Sequence, residues 1–464
     1  MMQSARWINS SECEPPPLRA AMRLSSLKFF LRYPIFLLAF GPPQIKAAIV
    51  GVDTSQAHFD IWNVISVGWI SVIALRAILR LVAMRSILIP KQIQSVLKLA
   101  FFLGLLDLAS VAYSPGRVIS TEYVILYFFN LICMLEFIVD VYRNPPNWMQ
   151  CIFQLRLVAL MLFALVLLTL AFAPSLVMGI VPGSGIRLMG GTVASMPIVC
   201  PLIAIISAYT FLHSLESRTR AALFFLLGLA GTLAIQSRGV EISLLVVLLA
   251  MAIGWAKSSV RSAQTLIAGG MFALLIGGVV LGVVGGGRIW NIFNRGADTE
   301  NFLTASGRTR LWEYQIEYLL SHPQGMGYIA GVRAFRLPNL GTDLHAALTL
   351  LGGTDNSYME VLTDAGWLAL ALYLLLLVRT VALGWRFAKK DASAAFASDI
   401  FVRHPIRCAL WLLTYCLGEG MESSVYVIPL RQEFYIQSIL IAIILGVSTN
   451  ILVASRPRHA SLAK

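Results

Sequence analysis

The chain has 464 residues, of which 58% are hydrophobic and only 13% are charged. A soluble domain carries about 25% charged residues, so the composition excludes an ordinary water-soluble protein and predicts an all-α, polytopic membrane protein. The net charge of +13 does not indicate nucleic-acid binding, because the lysines and arginines lie between hydrophobic runs, where basic residues set membrane topology.

Apolar runs recur along the chain, and a run of about 20 apolar residues is long enough to cross a bilayer as a helix. They predict about twelve spans, at Phe29–Val50, Ile61–Met84, Val96–Tyr113, Tyr123–Val141, Ile152–Ala173, Thr192–Leu212, Ala221–Ile235, Val240–Trp255, Thr265–Val284, Ala365–Leu383, Ile406–Gly420 and Tyr435–Val453. The first run is interrupted by Gly41-Pro42-Pro43, and the seventh is short.

Basic residues are concentrated in alternate loops, which is the pattern that the positive-inside rule requires of cytoplasmic loops. The basic-rich loops and tail carry Arg80, Arg85, Lys91, Arg143, Arg218, Arg220, Lys257, Arg261, Arg386, Lys389, Lys390, Arg403, Arg456 and Arg458. The alternation predicts that both termini are cytoplasmic. The predicted regions are a cytoplasmic tail at 1–28, about nine spans in 29–284, a large periplasmic loop at 285–364, three spans in 365–453 and a second tail at 454–464.

The predicted outer loop contains a polar segment, Ala305–Trp367, rich in arginine, glycine and aromatic residues. Apolar residues recur at helical spacing over Arg308–Leu320, which predicts an amphipathic helix lying against the bundle or the membrane surface. Pro323 and the glycines that follow it should end this helix. Ser357 and the glutamate three residues later match a capping box. The helix that this box opens is expected to continue through Gly366 into the tenth span.

Four short motifs follow one another along the second half of the chain. They are Arg187-Leu188-Met189-Gly190-Gly191, Ser237-Arg238-Gly239, Gly307–Trp312 with the downstream His322-Pro323 and Gly325-Met326-Gly327, and Asp355-Asn356-Ser357-Tyr358 with Gly366. With these motifs in this order, and with a large outer loop before the last three spans, the chain resembles the O-antigen ligase and polysaccharide polymerase superfamily of bacterial envelopes, over about Ile152 to Leu383.

The resemblance implies a glycosyltransferase of the bacterial inner membrane. Its donor would be a glycan linked to undecaprenyl diphosphate, transferred at the periplasmic face to a hydroxyl acceptor without nucleotide sugar or metal cofactor. The six cysteines show no metal-type spacing and no disulfide framework. The expected partners are the lipid-linked donor, a glycan or lipid A–core acceptor, the bilayer and, for a polymerase, a chain-length regulator, but no nucleic acid.

Arginine suits a diphosphate leaving group, because its guanidinium is permanently charged and donates bidentate hydrogen bonds. By their positions in the motifs, Arg238 and Arg308 are the candidates for holding the diphosphate. Arg187 and Arg310 are further candidates for binding substrate. The alternative for Arg238 is an interfacial arginine that reaches the lipid headgroups, and the alternative for Arg308 is a solvated helix end.

The acceptor hydroxyl needs a base or an orienting group, and Asp355 is the candidate. The resemblance places histidine at this position in many ligases, so aspartate favours a polymerase-type member. The alternative role for Asp355 is a helix cap. His345 is a candidate substitute base or a surface histidine, and Tyr358 stacks on a sugar or anchors the chain at the interface. Glu419 and Glu422 are further polar residues near the outer end of the eleventh span.

The leading functional hypothesis is polymerisation of O-antigen or exopolysaccharide repeats, with inversion at the anomeric carbon by direct attack. The alternative within the family is a ligase that transfers finished glycan to lipid A–core or to protein. The alternative from another class is a transporter or flippase of lipid-linked glycans. A transporter of that kind typically has repeat symmetry and charged residues at mid-membrane, and the sequence shows no internal repeat.

Overall fold

The computed structural model describes residues 26–40, 61–84, 89–143, 147–176, 178–181, 185–188, 196–235, 237–257, 264, 308–329, 356–389, 399–421, 429 and 432–454. This part of the chain is nearly all helical, as predicted. Eight of its helices are long and apolar enough to cross a membrane, which supports a multi-pass membrane protein.

The described helices of 14 residues or more are numbered in chain order. They are α1 (Ile61–Ala83), α2 (Lys91–Ser110), α3 (Arg117–Arg143), α4 (Trp148–Phe172), α5 (Met196–Leu212), α6 (Arg218–Ile235), α7 (Arg238–Ala256), α8 (Arg308–Ser321), α9 (Ser357–Lys389), α10 (Asp399–Glu419) and α11 (Gln432–Ala454). Short 3-10 helices span Val111–Tyr113 and Pro174–Leu176. A two-stranded antiparallel hairpin, β1 (Met178–Val181) with β2 (Gly185–Leu188), was not predicted from the sequence.

Ten of the described helices coincide with predicted spans, and α8 coincides with the predicted amphipathic helix. The first predicted span is only partly described. Residues 26–32 are helical and a second short helix covers Ile35–Leu38, with a break at Tyr33-Pro34. The ninth predicted span, 265–284, lies outside the described residues, so the total of twelve stays a prediction.

Helix α5 lies at the centre of the bundle and is enclosed by neighbouring helices. It packs on α4, α6, α7 and α10, and most of its residues are buried. Small residues permit its close contact with α6, as is typical of helix pairs in membranes. A Cβ atom built on Gly228 would lie 2.6 Å from the backbone nitrogen of Ala204, and one built on Gly231 would lie 2.6 Å from Cys200 Sγ.

Ion pairs gather where α1 and α3 end. The guanidinium of Arg80 bonds Glu136 and lies 2.8 Å from Asp140, which also pairs with Arg32 at 3.2 Å. Both carboxylates are buried. Because α3 runs away from its first residue, Arg117, these pairs lie at the opposite end of the bundle from the α2–α3 turn, where the candidate site begins.

Candidate functional site

Helix α9 folds back on itself at Gly366, whose backbone angles are φ 82° and ψ −177°. The rings of Tyr358 and Tyr373 have centroids 6.1 Å apart. Fifteen residues of straight helix would separate them by about 22 Å along the axis. Residues 357–365 therefore form a short arm, here called the return arm, that lies alongside the long arm, 367–389. The expectation that the helix continues through Gly366 is wrong, because this residue holds a left-handed backbone that breaks the helix.

The segment that follows α8 packs on the tip of this helical hairpin. We call residues 322–329 the glycine loop. Its backbone N–H groups at Met326 and Gly327 donate to the carbonyl oxygens of Thr363 and Asp364, both at 2.8 Å. A side-chain contact adds to these bonds, because the N–H of Ile329 donates to Asp364 Oδ2 at 2.7 Å. The loop thus satisfies carbonyl groups that the helix break leaves without helical partners.

Glycine is required where the loop and the hairpin meet. Gly325, Gly327 and Gly366 all have positive φ, at 85°, 108° and 82°. A Cβ atom on Gly366 would lie 2.2 Å from the carbonyl oxygen of Pro323, and one on Gly325 would lie 2.7 Å from the backbone nitrogen of Gly366. The glycines of the third and fourth motifs therefore meet each other, and any side chain would force the two backbones apart.

The glycine loop is also bonded to the turn between α2 and α3. Tyr113 Oη donates to the carbonyl oxygen of Gln324 at 2.6 Å. The N–H of Tyr328 donates to Ser110 Oγ at 2.9 Å, and Ser120 Oγ donates to the carbonyl oxygen of Tyr328 at 2.6 Å. The loop therefore bridges the α2–α3 turn and the hairpin of α9. Burial, followed by the nearby carboxylates of Asp107 and Asp364, raises the pKa of Tyr328, which keeps its phenol protonated.

The return arm begins at Asn356, which is its N-cap. Asn356 Oδ1 accepts from the N–H groups of Tyr358 at 2.9 Å and Met359 at 3.0 Å, and its Nδ2 donates to the carbonyl oxygen of Met421 at 3.0 Å. The N-cap is therefore Asn356, one residue before Ser357, the N-cap of the predicted capping box. The N–H of Ser357 instead donates to the carbonyl oxygen of Gly420 at 2.8 Å. The start of the return arm is thus bonded to the end of α10.

Tyr358, predicted from the sequence to bind substrate, is partly buried between α10 and the long arm. Its hydroxyl donates to the carbonyl oxygen of Leu417 at 2.8 Å. Asp355, immediately before the N-cap, lies outside the described residues, as do His345 and Glu422. Glu419 is buried at the end of α10, close to the start of the return arm.

The backbone positions of the four candidate arginines are described. Arg238 is the first residue of α7, and Arg308 and Arg310 lie in the first turn of α8. Arg187 is in β2, opposite Gly179. The substrate-binding roles of these arginines stay predictions.

The start of α7 lies beside the end of α10, because a Cβ atom on Gly418 would lie 3.0 Å from Ser243 Oγ. Helix α8 packs on α9, and β2 contacts α6. The structure therefore gathers the start of α7 and the start of the return arm around the end of α10.

The burial of several polar residues near this region was not predicted. Asp364 and Glu360 are on the return arm, Asp107 is on α2, and Gln315 is on α8. Gln315 is 0% exposed, and neither its Nε2 nor its Oε1 has a hydrogen-bond partner among the described residues. Asp107 interrupts an apolar run, which is a recognised signal of function or of a buried polar site in a membrane helix. Glu360 was predicted only as part of a capping box, and Asp364 and Gln315 carry no comparable signal, since they lie in a polar part of the sequence.

The described residues contain no group of three or more histidine, cysteine, aspartate or glutamate side chains that could hold a metal ion. In a comparison with protein families, residues 223–374 match the family described as O-antigen ligase. The matched range runs from α6 into the long arm of α9, and takes in Arg238, Arg308, Asp355 and Tyr358. Comparison with curated proteins gives no match.

Proposed function

We propose that the protein polymerises O-antigen or exopolysaccharide repeats in the bacterial inner membrane, because residues 223–374 match the family described as O-antigen ligase. The coarser assignment, glycan processing of the ligase or polymerase type by a multi-pass membrane protein, follows from the family match and the apolar helices. The proposal adds the donor, a glycan on undecaprenyl diphosphate, and the periplasmic face as the place of reaction.

The observation that carries the proposal is the meeting of two family motifs at the end of α10. The Ser-Arg-Gly motif contains the first residue of α7, and α7 packs beside Gly418. The Asp-Asn-Ser-Tyr motif contains the N-cap of the return arm, which bonds Gly420 and Met421. The first residue of α7 and the N-cap of the return arm thus both lie near the end of α10, which supports the proposal that Arg238 and Asp355, the residue before this N-cap, serve one reaction.

In the proposed reaction, the oxygen of the acceptor hydroxyl attacks the anomeric carbon of the donor glycan. The bond from that carbon to the phosphate oxygen breaks on the opposite face, so the configuration inverts. The acceptor proton passes to the carboxylate of Asp355 and then to solvent. Undecaprenyl diphosphate leaves, and Arg238 and Arg308 hold the charge that develops on its phosphate oxygens.

Substitution of the two arginines tests the proposal. In cells that depend on this protein for polymer, Arg238→Ala and Arg308→Ala should each reduce polymer by about 100-fold or more, the scale seen when a group that stabilises transition-state charge is removed. Arg218→Ala is the matched control, because Arg218 is exposed at the other end of α6 and should leave polymer unchanged. Membrane insertion of every variant is checked by its amount in the membrane fraction.

The products of the reaction distinguish a polymerase from a ligase. Long lipid-linked polymer would support the polymerase, whereas glycan found only on lipid A–core would favour the ligase. Undiminished polymer in both arginine variants would show that the diphosphate assignment is wrong. Asp355→Asn should reduce polymer strongly, because the amide does not accept a proton at neutral pH, while Asp355→His should retain part of the activity.

A further inference from the structure

A cavity of about 60 Å³ lies inside the helical bundle, between α2, α3, α9 and α11. Its walls are mostly apolar, but several polar side chains from these helices and from the glycine loop reach it. They include Asp107, Asn130, Tyr328, Asp364, Gln437 and Ser438. A cavity of this size has room for a few water molecules or a partly hydrated ion.

Some of these polar groups are already hydrogen-bonded within the protein. Ser438 Oγ accepts from Asn130 Nδ2 at 2.8 Å. Gln437 bonds the hydroxyl of Tyr373 at 3.2 Å. Asp364 Oδ2 accepts the N–H of Ile329, as described above for the glycine loop. These groups shape the cavity and do not need a ligand to satisfy them.

Two other groups that line the cavity have oxygen acceptors without a partner among the described residues. Asn130 is 3% exposed, and its Oδ1 has no hydrogen-bond partner in the part of the chain that the structure describes. Asp107 is 4% exposed, and among the described residues none bonds or pairs with its carboxylate. The described lining residues include no lysine, arginine or histidine. Among the described residues, the cavity therefore has two oxygen acceptors without partners, one of which is the carboxylate of Asp107.

These unsatisfied oxygen acceptors indicate which kind of ligand fits the cavity. A carboxylate inside a membrane-spanning helix is costly unless it is paired or neutralised. Both unsatisfied groups are oxygen acceptors, and hard cations prefer oxygen ligands. Asp364 also lines the cavity but already accepts the N–H of Ile329. Asp107 is the lining carboxylate without a bonded partner among the described residues, and it balances one positive charge, whereas Ca²⁺ and Mg²⁺ sites usually use more than one carboxylate or a phosphate. The ligand that fits is a small monovalent cation with part of its water shell.

We propose that this cavity binds a small monovalent cation, with Asp107 as its charged ligand and Asn130 Oδ1 bonded to its water. Tyr127, three residues before Asn130 on α3, bonds the carbonyl oxygen of Ala100 on α2, so Asn130 lies about two helical turns deeper than Asp107. A bridging water suits this separation better than direct coordination by both side chains. The site is independent of the proposed glycan chemistry.

The bound cation would stabilise the packing of the glycine loop against the end of α2. Asp107 lies one helical turn before Ser110, whose hydroxyl accepts the N–H of Tyr328. Neutralising Asp107 removes the electrostatic cost of packing this turn beside the hairpin of α9. Cation binding should therefore raise the thermal stability of the whole protein, because a ligand that binds only the folded state stabilises it.

The experiment measures the unfolding midpoint of the purified full-length protein in lipid nanodiscs. The salt is NaCl, KCl or choline chloride at one ionic strength. The wild type should show a saturable rise of roughly 2–4 °C with sodium or potassium over choline, and the more effective ion identifies the ligand. Asp107→Asn should abolish this rise. Glu122→Gln is the matched control, because Glu122 is a partly buried carboxylate on α3 that does not line the cavity, and it should retain the rise.

A second variant keeps the test decisive if Asp107→Asn does not fold. Asn130→Leu leaves the carboxylate but removes the second acceptor, so the cation concentration at half-effect should increase about tenfold. Equal midpoints in all three salts would overturn the proposal and indicate a carboxyl group that is simply protonated. A cation effect that persists in Asp107→Asn would also overturn it, because the cation would then bind elsewhere.

Discussion

At the scale of single residues, Gly366 shows why one position of the fourth motif requires glycine. Its φ of 82° is a conformation that L side chains rarely adopt, and a Cβ atom would lie 2.2 Å from the carbonyl oxygen of Pro323. Gly366→Ala should therefore destabilise the hairpin by about 1–3 kcal/mol or more and abolish polymer formation. Unfolding midpoints and polymer measured in the same membranes check both effects.

Gly254→Ala is the control for this substitution. Gly254 lies inside α7, and a Cβ atom there would meet nothing within 4 Å. Alanine should stabilise this helix by about 0.5–1 kcal/mol and leave polymer formation intact. If Gly366→Ala and Gly254→Ala had the same effects on stability and polymer formation, the close contact at Gly366 would not be needed for function.

The residues of the candidate site were only partly predictable from the sequence. Pro323 and the glycines after it were correctly predicted to end α8, because their backbones are poor helix formers. The N-cap was assigned to Ser357 rather than Asn356, since both residue types cap helices and sequence alone does not choose between neighbours. The burial of Gln315 was not predictable, because it depends on tertiary packing rather than on helical periodicity.

At the scale of the elements, apolar runs predicted where helices exist but not how they bend. The break at Gly366 depends on a backbone contact with Pro323, which is distant in sequence, and glycine is common in membrane helices. The β1–β2 hairpin was missed because its strands are four residues each, too short for an alternating pattern. The tertiary contacts that decide both features are absent from any local window of sequence.

The connection between α5 and α6 gives a prediction about acid stability. Burial, followed by the charges of His404 and Arg407, lowers the pKa of His213 to about 4. The unfolded state therefore binds more protons than the folded state between the ordinary histidine pKa, about 6.5, and about 4. Stability should fall as the pH decreases through this window. His213→Gln should make the decline shallower.

Glu216, in the same connection, contributes with the same sign. Burial alone would raise the pKa of its carboxyl group, but hydrogen bonds from Arg156 and Thr210 outweigh burial and hold it below the ordinary value. Its contribution is present above the unfolded pKa and is lost as the pH falls through the folded one. Unfolding midpoints measured from pH 7 to pH 4 check the contribution of His213, and measurements continued below the ordinary glutamate pKa, about 4.3, check that of Glu216. A midpoint that does not change between pH 7 and pH 4 would contradict the His213 assignment.

At the scale of the whole molecule, the two ends of the bundle differ in chemistry. The buried pairs of Arg80 lie at one end, and the glycine loop, the hairpin and the start of α7 lie at the other. The predicted topology puts the second end in the periplasm. Single cysteines at Gln324 and Ser217, both exposed, test this in intact cells. A membrane-impermeant thiol reagent should label Gln324→Cys and not Ser217→Cys.

The native cysteines do not obscure that measurement. Cys133, Cys151, Cys200, Cys408 and Cys416 are buried, and Cys13 is replaced by serine in both variants. Labelling of Ser217→Cys from outside would invert the predicted topology and place the glycine loop in the cytoplasm, where a periplasmic transfer reaction could not use it.

The most direct test of the proposed function is an assay of bond formation by the purified protein. The full-length chain in nanodiscs is given a synthetic polyprenyl-diphosphate oligosaccharide and no nucleotide sugar, and the products are measured by mass spectrometry. We expect glycans of two or more repeat units, with one polyprenyl diphosphate released for each new glycosidic bond, and neither product with Arg238→Ala. In sealed proteoliposomes with the same protein and donor, movement of intact donor between leaflets without any new glycosidic bond would contradict the account and indicate a transporter.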